Sequence, residues 1–597
     1  MIEIVISSVD VAYEISARSF LNSLMREWGG WSLTPAAQEE AGVEPSRWTA
    51  RFPLPSRGSV VEIAVVHRSS VGQHVFRLPL REHRAGAPSR TMAFPEFAAA
   101  VANEPAIVGW RVPDAAPTFL RRVFQSAANV ADVLARAPGR SVFLRRDPGF
   151  LEAEQALRFG HSVHPTPRSR DEFTAEDSRR FAPEYGHGFP LRWWSANRDA
   201  VAQGSSREES AARLCTDLAA GDSAIDPRLL AEAEGRVLLP MHPWQAARLA
   251  LDPAIDALFR AGRLVDHGHA GAPWFATTSL RSLYAPHARW MLKHSLNLRL
   301  TNSLRLIKGI ECERGLVVDA LLAGRVGEEI AARFPALRIL GEPAYLALRG
   351  PDGAILPQTI VALRENPFRG DGQRPAAVLA ALCEIHPDGQ GSALADTILR
   401  IAGRANSAGT VALRWFERFL DVAVRPILEI QCDLGLLFGA HQQNLVIGLE
   451  DGWPREAFFR DCQGTGFVRE FVPALREAAP GLDLEAGHLF ASAEAAQIMA
   501  YYLIVNSVFG VIGAIAIAGL ATEDALIRIL RRKIETIAEN ELRDKTCLRF
   551  LLEVPTLGCK GNFMICFRSI NENTDITDPL AGYVPMPNPI AIRPTEA

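Results

Sequence analysis

The 597-residue chain has no Cys-x-x-Cys pair and no Cys/His run at zinc spacing; its eight cysteines (215, 312, 383, 432, 462, 547, 559, 566) are scattered. Such a set points to reduced, mostly buried thiols in a cytosolic protein. It also lacks a basic excess: 64 Lys+Arg stand against 68 Asp+Glu, a net of −4. Nucleic-acid binders need that excess to neutralise phosphates, so no nucleic-acid partner is expected. Any anionic ligand must be gripped by a local cluster. The opening MIEIVISSVDVAYEISARSFLNSL carries Glu3, Asp10 and Glu14 and lacks the basic-then-apolar order of a signal peptide. No internal repeat of roughly 20 to 50 residues is visible, which excludes solenoids and propellers.

What is there is an ordinary folded composition, 48% hydrophobic and 22% charged. At about 150 residues per domain the length suggests about four units, which large α/β or α+β enzymes merge into two or three. One apolar run tests this soluble reading. Tyr501 to Leu520 has twenty residues and no charge, enough to span a bilayer. Asn506, the two leading tyrosines and the amphipathic surroundings favour a fully buried core helix, so no membrane partner is expected.

Residues 9–28 and 94–137 read as helices, separated by short alternating runs at Val60–Val66 and His74–Leu80. Pro/Gly/Arg-rich stretches at 138–150 and 366–375 are the candidate breaks. They divide the chain into an N-terminal helical domain (1–150), a sheet-rich domain (151–365) and a mainly helical domain (366–597). Helices are expected at 206–220 and 226–235, strands near 433–448, and an extended proline-rich tail.

The most informative stretch is WMLKHSLNLRLTNSLRLI, 290–307. Even positions are apolar save His294 and Asn302, and odd positions from Lys293 to Arg305 are all polar. Period two means a strand, or two joined by a bend, with one greasy and one polar face. Upstream lies Thr277-Thr278-Ser279-Leu280-Arg281-Ser282. A hairpin centred on residue 287 would set Arg281 directly opposite Lys293. Opposed like charges destabilise a sheet, and an anion between them removes the conflict. An anion-binding sheet face is therefore expected; the alternative is a solvent-facing side of an antiparallel sheet.

Two further constellations carry chemistry. In the first, GAHQQN (439–444) precedes a strand, and Asp461 follows seventeen residues after Asn444. Asn then Asp is the order in which kinase-type folds present Mg²⁺ ligands beside ATP. In the second, Pro165 and Pro167 forbid a helix through His161 and His164. Their Gly-led loop is better suited to phosphates or a carboxylate than to a metal. His242-Pro243-Trp244-Gln245 is either a similar loop or a packed tryptophan corner.

Together GHSVHPTPRSR (160–170), FAPEYG (181–186), MHPWQ (241–245), TTSLRS (277–282), KHSLNLRLTNSLR (293–305), GAHQQN (439–444), RDCQG (460–464), YYLIVNS (501–507) and the Lys560…Arg568 segment resemble the aerobactin-synthetase (IucA/IucC) family of NRPS-independent siderophore synthetases. The resemblance runs over about residues 150–590. It implies an α+β fold shaped like a cupped hand, with a helical thumb, antiparallel-sheet fingers and a mainly helical palm. It further implies an ATP- and Mg²⁺-dependent ligase, cytoplasmic and homodimeric. That ligase adenylates citrate or a related polycarboxylic acid and passes the acyl group to an amine or hydroxyl nucleophile. Carried over by position, His161, His164, Thr166, Ser279, Arg281, Ser282, Lys293, Thr301, Asn302, Arg305, Gln443 and Asn444 would bind ATP. Arg305, His441 and Gln443 would bind the acid, Asn444 and Asp461 the metal, and Arg281, Lys293, Arg305 and His441 would be catalytic. Arg168 stands where the family loop usually has lysine, and Gly439 where it often has glutamate. A kinase-like phosphotransferase releasing ADP is the alternative.

Overall fold

The computed structural model describes residues 7–36, 48–109, 114–136, 142–370, 374–479, 488–572, 574–575, 578 and 580–591. Parts of both expected breaks, 138–141 and 371–373, lie outside them.

The first helix, Ser8–Glu27, starts where Ser7 accepts a hydrogen bond from the Asp10 amide, the usual way to satisfy an orphan N–H. Beyond it the N-terminal region departs from the expected all-helical unit. Strands Ser32–Pro35, Trp48–Leu54, Ser59–His67, Val75–Arg84 and Arg90–Met92 form a five-stranded antiparallel meander in sequence order. The alternating run at 60–66 is its third strand, buried on one side only, as a half-covered sheet requires. The expected helix 94–137 is three helices, Phe94–Ala102, Pro105–Val108 and Ala115–Arg136. Pro105 begins the second of these, where its missing N–H costs nothing.

The middle of the chain builds an eight-stranded, wholly antiparallel sheet. Its order is Val201–Ser205, Ala344–Leu348, Val361–Glu365, Trp290–His294, Ser282–Tyr284, Leu264–Ala276, Gly188–Ala196, Val237–Met241. Trp290, Leu292, Leu296 and Leu298 enter one core with Trp193 and Trp194, so the greasy face is as read. The polar face is not solvent-facing: Lys293 is 2% exposed. Regular strand ends at His294, and a small hairpin, Arg299–Leu300 with Ser303–Leu304, turns at Thr301 (φ 53°) and Asn302.

The C-terminal part surrounds a four-stranded sheet in which Leu337–Ile339 runs parallel to Trp453–Phe459. Val317 to Leu340 contribute to this core, and Phe563, Cys566 and Phe567 pack into the N-terminal one beside Phe20 and Phe119. Among the described residues one helix, Ser492–Ile517, is long and apolar enough to cross a membrane; 89% of its most apolar window is buried inside the fold. It widens to a π-helix over Ala500–Val508. That loosening frees the Asn506 carbonyl to accept from Gln442 Nε2 at 2.6 Å. Gly510 admits the same glutamine: a Cβ there would lie 2.0 Å from Gln442 Nε2. The eight cysteines are all buried and unpaired.

Candidate active site

A cavity of about 350 Å³ lies where the three cores meet. Its walls include His161, His164, Ser279, Arg281, Ser282, Lys293, Thr301, Asn302, Arg305, His441, Gln443, Asn444 and Asp461. Segments some 300 residues apart in sequence are thus gathered around one space of ligand size.

The 160–170 loop is held from outside by the helix Ala115–Arg136. Ser126 Oγ accepts from Arg168 N at 2.9 Å, Gln125 Oε1 from Arg170 N at 3.0 Å, and Asn129 Nδ2 donates to Arg168 O at 2.8 Å. The bulged helix holds the GAHQQN segment: Gln442 N donates to Asn506 Oδ1 and Ser507 Oγ to Ala440 O. Arg460, clamped by both oxygens of buried Glu154, holds the Gln443 carbonyl.

Three histidines share one device. His161 Nδ1 accepts from Val163 N at 3.0 Å, His164 Nδ1 from Thr166 N at 3.0 Å, and His441 Nδ1 from Gln443 N at 3.3 Å. With Nδ1 used as an acceptor, the neutral ring carries its proton on Nε2. Burial pushes His161 down to about 3, and His164 and His441 to about 4. At neutral pH all three are uncharged; His164 spends its Nε2–H on Asn302 Oδ1, His161 Nε2 faces Asn506 Nδ2, and His441 is left as the N–H donor suited to an oxyanion.

The cations fall into two sets. Arg281 and Arg305 have no carboxylate partner among the described residues; the Arg281 guanidinium reaches the Arg305 carbonyl, and Arg305 braces the Leu300 carbonyl and the Thr301 hydroxyl. Burial and the neighbouring Arg281 lower Arg305 to about 10. Lys293, by contrast, is ion-paired with Asp461, donates to Gln463 Oε1 at 2.7 Å and lies 3.7 Å from Glu342. Arg364 pairs with the same Glu342 and lies 3.6 Å from Asp461. Two cations and two carboxylates form a closed quartet, and Lys293 and Arg364 hold the Asp461 carboxyl well below its usual range although burial opposes this.

Several expectations are corrected. Ser282, not Arg281, stands opposite Lys293; Arg281 is one residue further, its carbonyl accepting from His294 N. A one-residue slip moves every side chain to the other face. Arg281 returns to the cavity because the strand is interrupted: Leu280 sits at φ 66° and Thr277 Oγ1 bonds the Ser282 carbonyl. The anion beside Lys293 is therefore the protein's own Asp461. Thr166 does not line the cavity; its hydroxyl is fully buried against Cys566 and Ser169. His242 is the packed-corner case, capping the helix Pro243–Leu249 while Trp244 packs on Phe173. Arg168 lines the cavity but spends its guanidinium on the Leu157 and Arg158 carbonyls and Glu184. A Cβ on Gly439 would meet nothing within 4 Å.

Among the described residues, no group of three or more His, Cys, Asp or Glu could hold a metal. The donors expected for Mg²⁺ are one carboxylate, Asp461, and the Asn444 amide, whose Nδ2 donates to Gly439 O and so orients it. That meagre oxygen set fits a Mg²⁺ that takes its remaining ligands from water and substrate phosphates. Sequence reasoning missed Glu342 and Arg364, which complete the quartet, and Glu572, which lines the cavity. Arg364 lies on a strand that shows no distinctive pattern, and the two glutamates sit outside any motif.

Such a cleft, with two arginines that make no ion pair among the described residues and a neutral N–H donor at His441, suits small polyanions. Comparison with known proteins narrows the class. The IucA / IucC family model matches residues 149–384, and a model described as ferric iron reductase FhuF-like transporter matches 413–575. The chain is 33% identical to the N(2)-citryl-N(6)-acetyl-N(6)-hydroxylysine synthase of Vibrio mimicus over 97% of this chain and 95% of that one. It is 33% identical to the rhizobactin siderophore biosynthesis protein RhbC of Rhizobium meliloti over 97% of each. ATP-bound aerobactin synthetase IucA from Klebsiella pneumoniae superposes with a TM-score of 0.88, at 31% identity over 97% of this chain and 99% of that one. The chain belongs to the IucA/IucC family.

Proposed function

We propose that the protein is an ATP-dependent, AMP-forming ligase of siderophore biosynthesis that joins citrate or a related polycarboxylic acid to an amine or hydroxyl nucleophile. One observation carries this reading: the unpartnered Arg281–Arg305 pair in an enclosed cavity of a chain alike throughout its length to citrate-using synthetases and to an ATP-bound synthetase.

Adenylation brings a carboxylate against a triphosphate, two anions that repel each other. Arg281 and Arg305 offset that repulsion, and His441 donates its Nε2–H bond to an oxygen as charge shifts, while His161 and His164 shape the wall without adding charge. A carboxylate oxygen attacks the α-phosphorus, the C–O–P bond forms and pyrophosphate leaves. The nucleophile then attacks the acyl carbon, the new C–N or C–O bond forms, AMP leaves with the electron pair of the broken C–O bond, and the proton given up by the nitrogen or oxygen passes to water. Mg²⁺ held by Asp461 and Asn444 would neutralise charge on the phosphates and leaving pyrophosphate. Ser279, Ser282, Thr301, Asn302 and Gln443 supply hydrogen bonds within the same walls. The reading includes a cytoplasmic enzyme, supported by eight unpaired cysteines, and a homodimer, which rests on the family resemblance alone.

The test is product analysis with ATP, Mg²⁺, citrate and a panel of amines. Stoichiometric AMP and pyrophosphate are expected; ADP and phosphate would move the protein to the phosphotransferases.

A further inference from the structure

The carboxylates lining the cavity, among the described residues, are Glu384, Asp461 and Glu572. Two are committed. Asp461 belongs to the quartet with Lys293, and Glu384 spends one oxygen on the backbone amides of Arg158 and Phe159.

Glu572 is ion-paired too, but with a single cation, Lys560, where Asp461 faces both Lys293 and Arg364. It accepts from Asn302 Nδ2 and from Lys560 Nζ, each at 3.2 Å, and both donors are themselves cavity-lining side chains. Beside it the Lys560 ammonium lies 5.5 Å from the Tyr502 ring centroid, and Tyr501 packs on Tyr502 at 5.1 Å. Carboxylate plus aromatic face is the chemistry that captures an ammonium, and here the protein's own lysine already demonstrates it. Asn302, the bridge, accepts from His164 Nε2 at 3.1 Å and sits in the turn that Arg305 braces. One amide therefore links this corner to the arginine clamp, bringing a bound amine close to an acyl group held there.

We propose that Glu572, with Tyr501 and Tyr502, forms the subsite for the ammonium of the nucleophile. The amine takes the place of Lys560 Nζ on the carboxylate and frees that lysine for the anions of the cavity. The nucleophile is thus a primary amine bound as its cation, preferred over an alcohol; before attack it passes one proton to the Glu572 carboxylate, which frees the nitrogen lone pair. This rests on the ligase reading above.

The experiment separates the two. Acid and ATP with hydroxylamine, a largely unprotonated nucleophile, give a hydroxamate that reports the activated acid without using an ammonium site. Spermidine, diaminopropane and lysine are each titrated as competitors that divert the activated acid. In wild type at least one should lower the hydroxamate yield. In Glu572→Gln the concentration giving half the effect should rise about tenfold or more, the scale of one lost hydrogen bond to a charged group. That rise should exceed any fall in amine-free hydroxamate yield by at least about fivefold, with partial rescue in Glu572→Asp. Tyr502→Leu, which keeps the carboxylate, should give a smaller shift in the same direction and stands in if Glu572→Gln fails to fold. Equal loss of hydroxamate and amine response would make Glu572 structural and overturn the proposal. So would an unchanged half-effect concentration, or no diversion by any of the three amines in wild type. Absence of any hydroxamate in wild type would instead sink the ligase reading on which it rests.

Discussion

Lys293 and Arg305 lie twelve residues apart on one polar-faced stretch, yet they meet opposite electrostatic fates. Lys293 is enclosed in a neutral quartet with Asp461, Glu342 and Arg364, whereas Arg305 faces Arg281 and makes no ion pair among the described residues, Glu572 and Asp461 acting on it only at a distance. The first is a structural charge that ligand must share; the second is a charge left uncompensated for ligand to meet. Cations alone do not make an anion site; cations whose partner is missing do.

The sharpest way to break that comparison is Arg305→Ala. Removing an uncompensated cation that meets charge in the transition state should lower kcat/KM for acid-dependent pyrophosphate exchange by roughly 10²–10³-fold. The apo melting temperature should hold steady or rise slightly, because like-charge repulsion is relieved. A large drop in melting temperature would show that Arg305 is structural.

Lys293→Met should behave in reverse. The polar-faced stretch read alone predicts that this change relieves repulsion and leaves the apo protein as stable or more so. The quartet predicts destabilisation, since Asp461 loses its partner. A buried ion pair broken on one side costs about 3–5 kcal/mol, and the Asp461 side chain is 30% exposed, so about 1–3 kcal/mol is expected. Denaturant titration measures it. Adding Asp461→Asn should recover part of the loss, as coupled neighbours do; strict additivity would dissolve the quartet.

Acid gives the most diagnostic effect. His164 is lowered from 6.5 to about 4, so the unfolded chain binds a proton that the folded one refuses. Stability therefore falls as pH drops below about 6.5 and stops falling near about 4, by up to about 1.4 kcal/mol per pH unit for one histidine. Asp461 has the other sign: a carboxyl held low stabilises the fold above the usual carboxylate range and loses that contribution only as pH falls below it. Between about pH 6.5 and 4.5, His164→Gln should lower the slope by one histidine's share, the other buried histidines such as His161 and His441 keeping theirs, and Lys293→Met should leave the slope alone. Equal slopes for wild type and His164→Gln would mean that the imidazole is charged in the fold.

Much of this was legible in the residues. The first helix, the greasy face of the 290–298 run, the buried 501–517 helix and most of the cavity wall follow from period, capping and motif. The errors share one cause. Val60–Val66 read as an alternating run, but its place in a five-stranded sheet shows only once its neighbours are known. The hairpin register slipped by one because Leu280 bends backward, a backbone choice that no side-chain pattern announces. Thr166 stood inside a motif but turned toward Cys566, since a loop has no period to aim its side chains.

Alternation, capping and the Asn444…Asp461 order are local, and local physics sets them: a pleat points successive residues apart, and a serine before a helix satisfies a bare N–H. Those features, together with family motifs, determined that the protein is an α+β enzyme of this family with a basic, histidine-rich cleft. Which cations stay free is not local. Glu342 lies 49 residues beyond Lys293, Asp461 lies 168 beyond it, and Glu572 lies 270 beyond Asn302. Coulomb attraction and desolvation act through space and depend steeply on burial, so only the tertiary structure decided which charges cancel and which await a ligand.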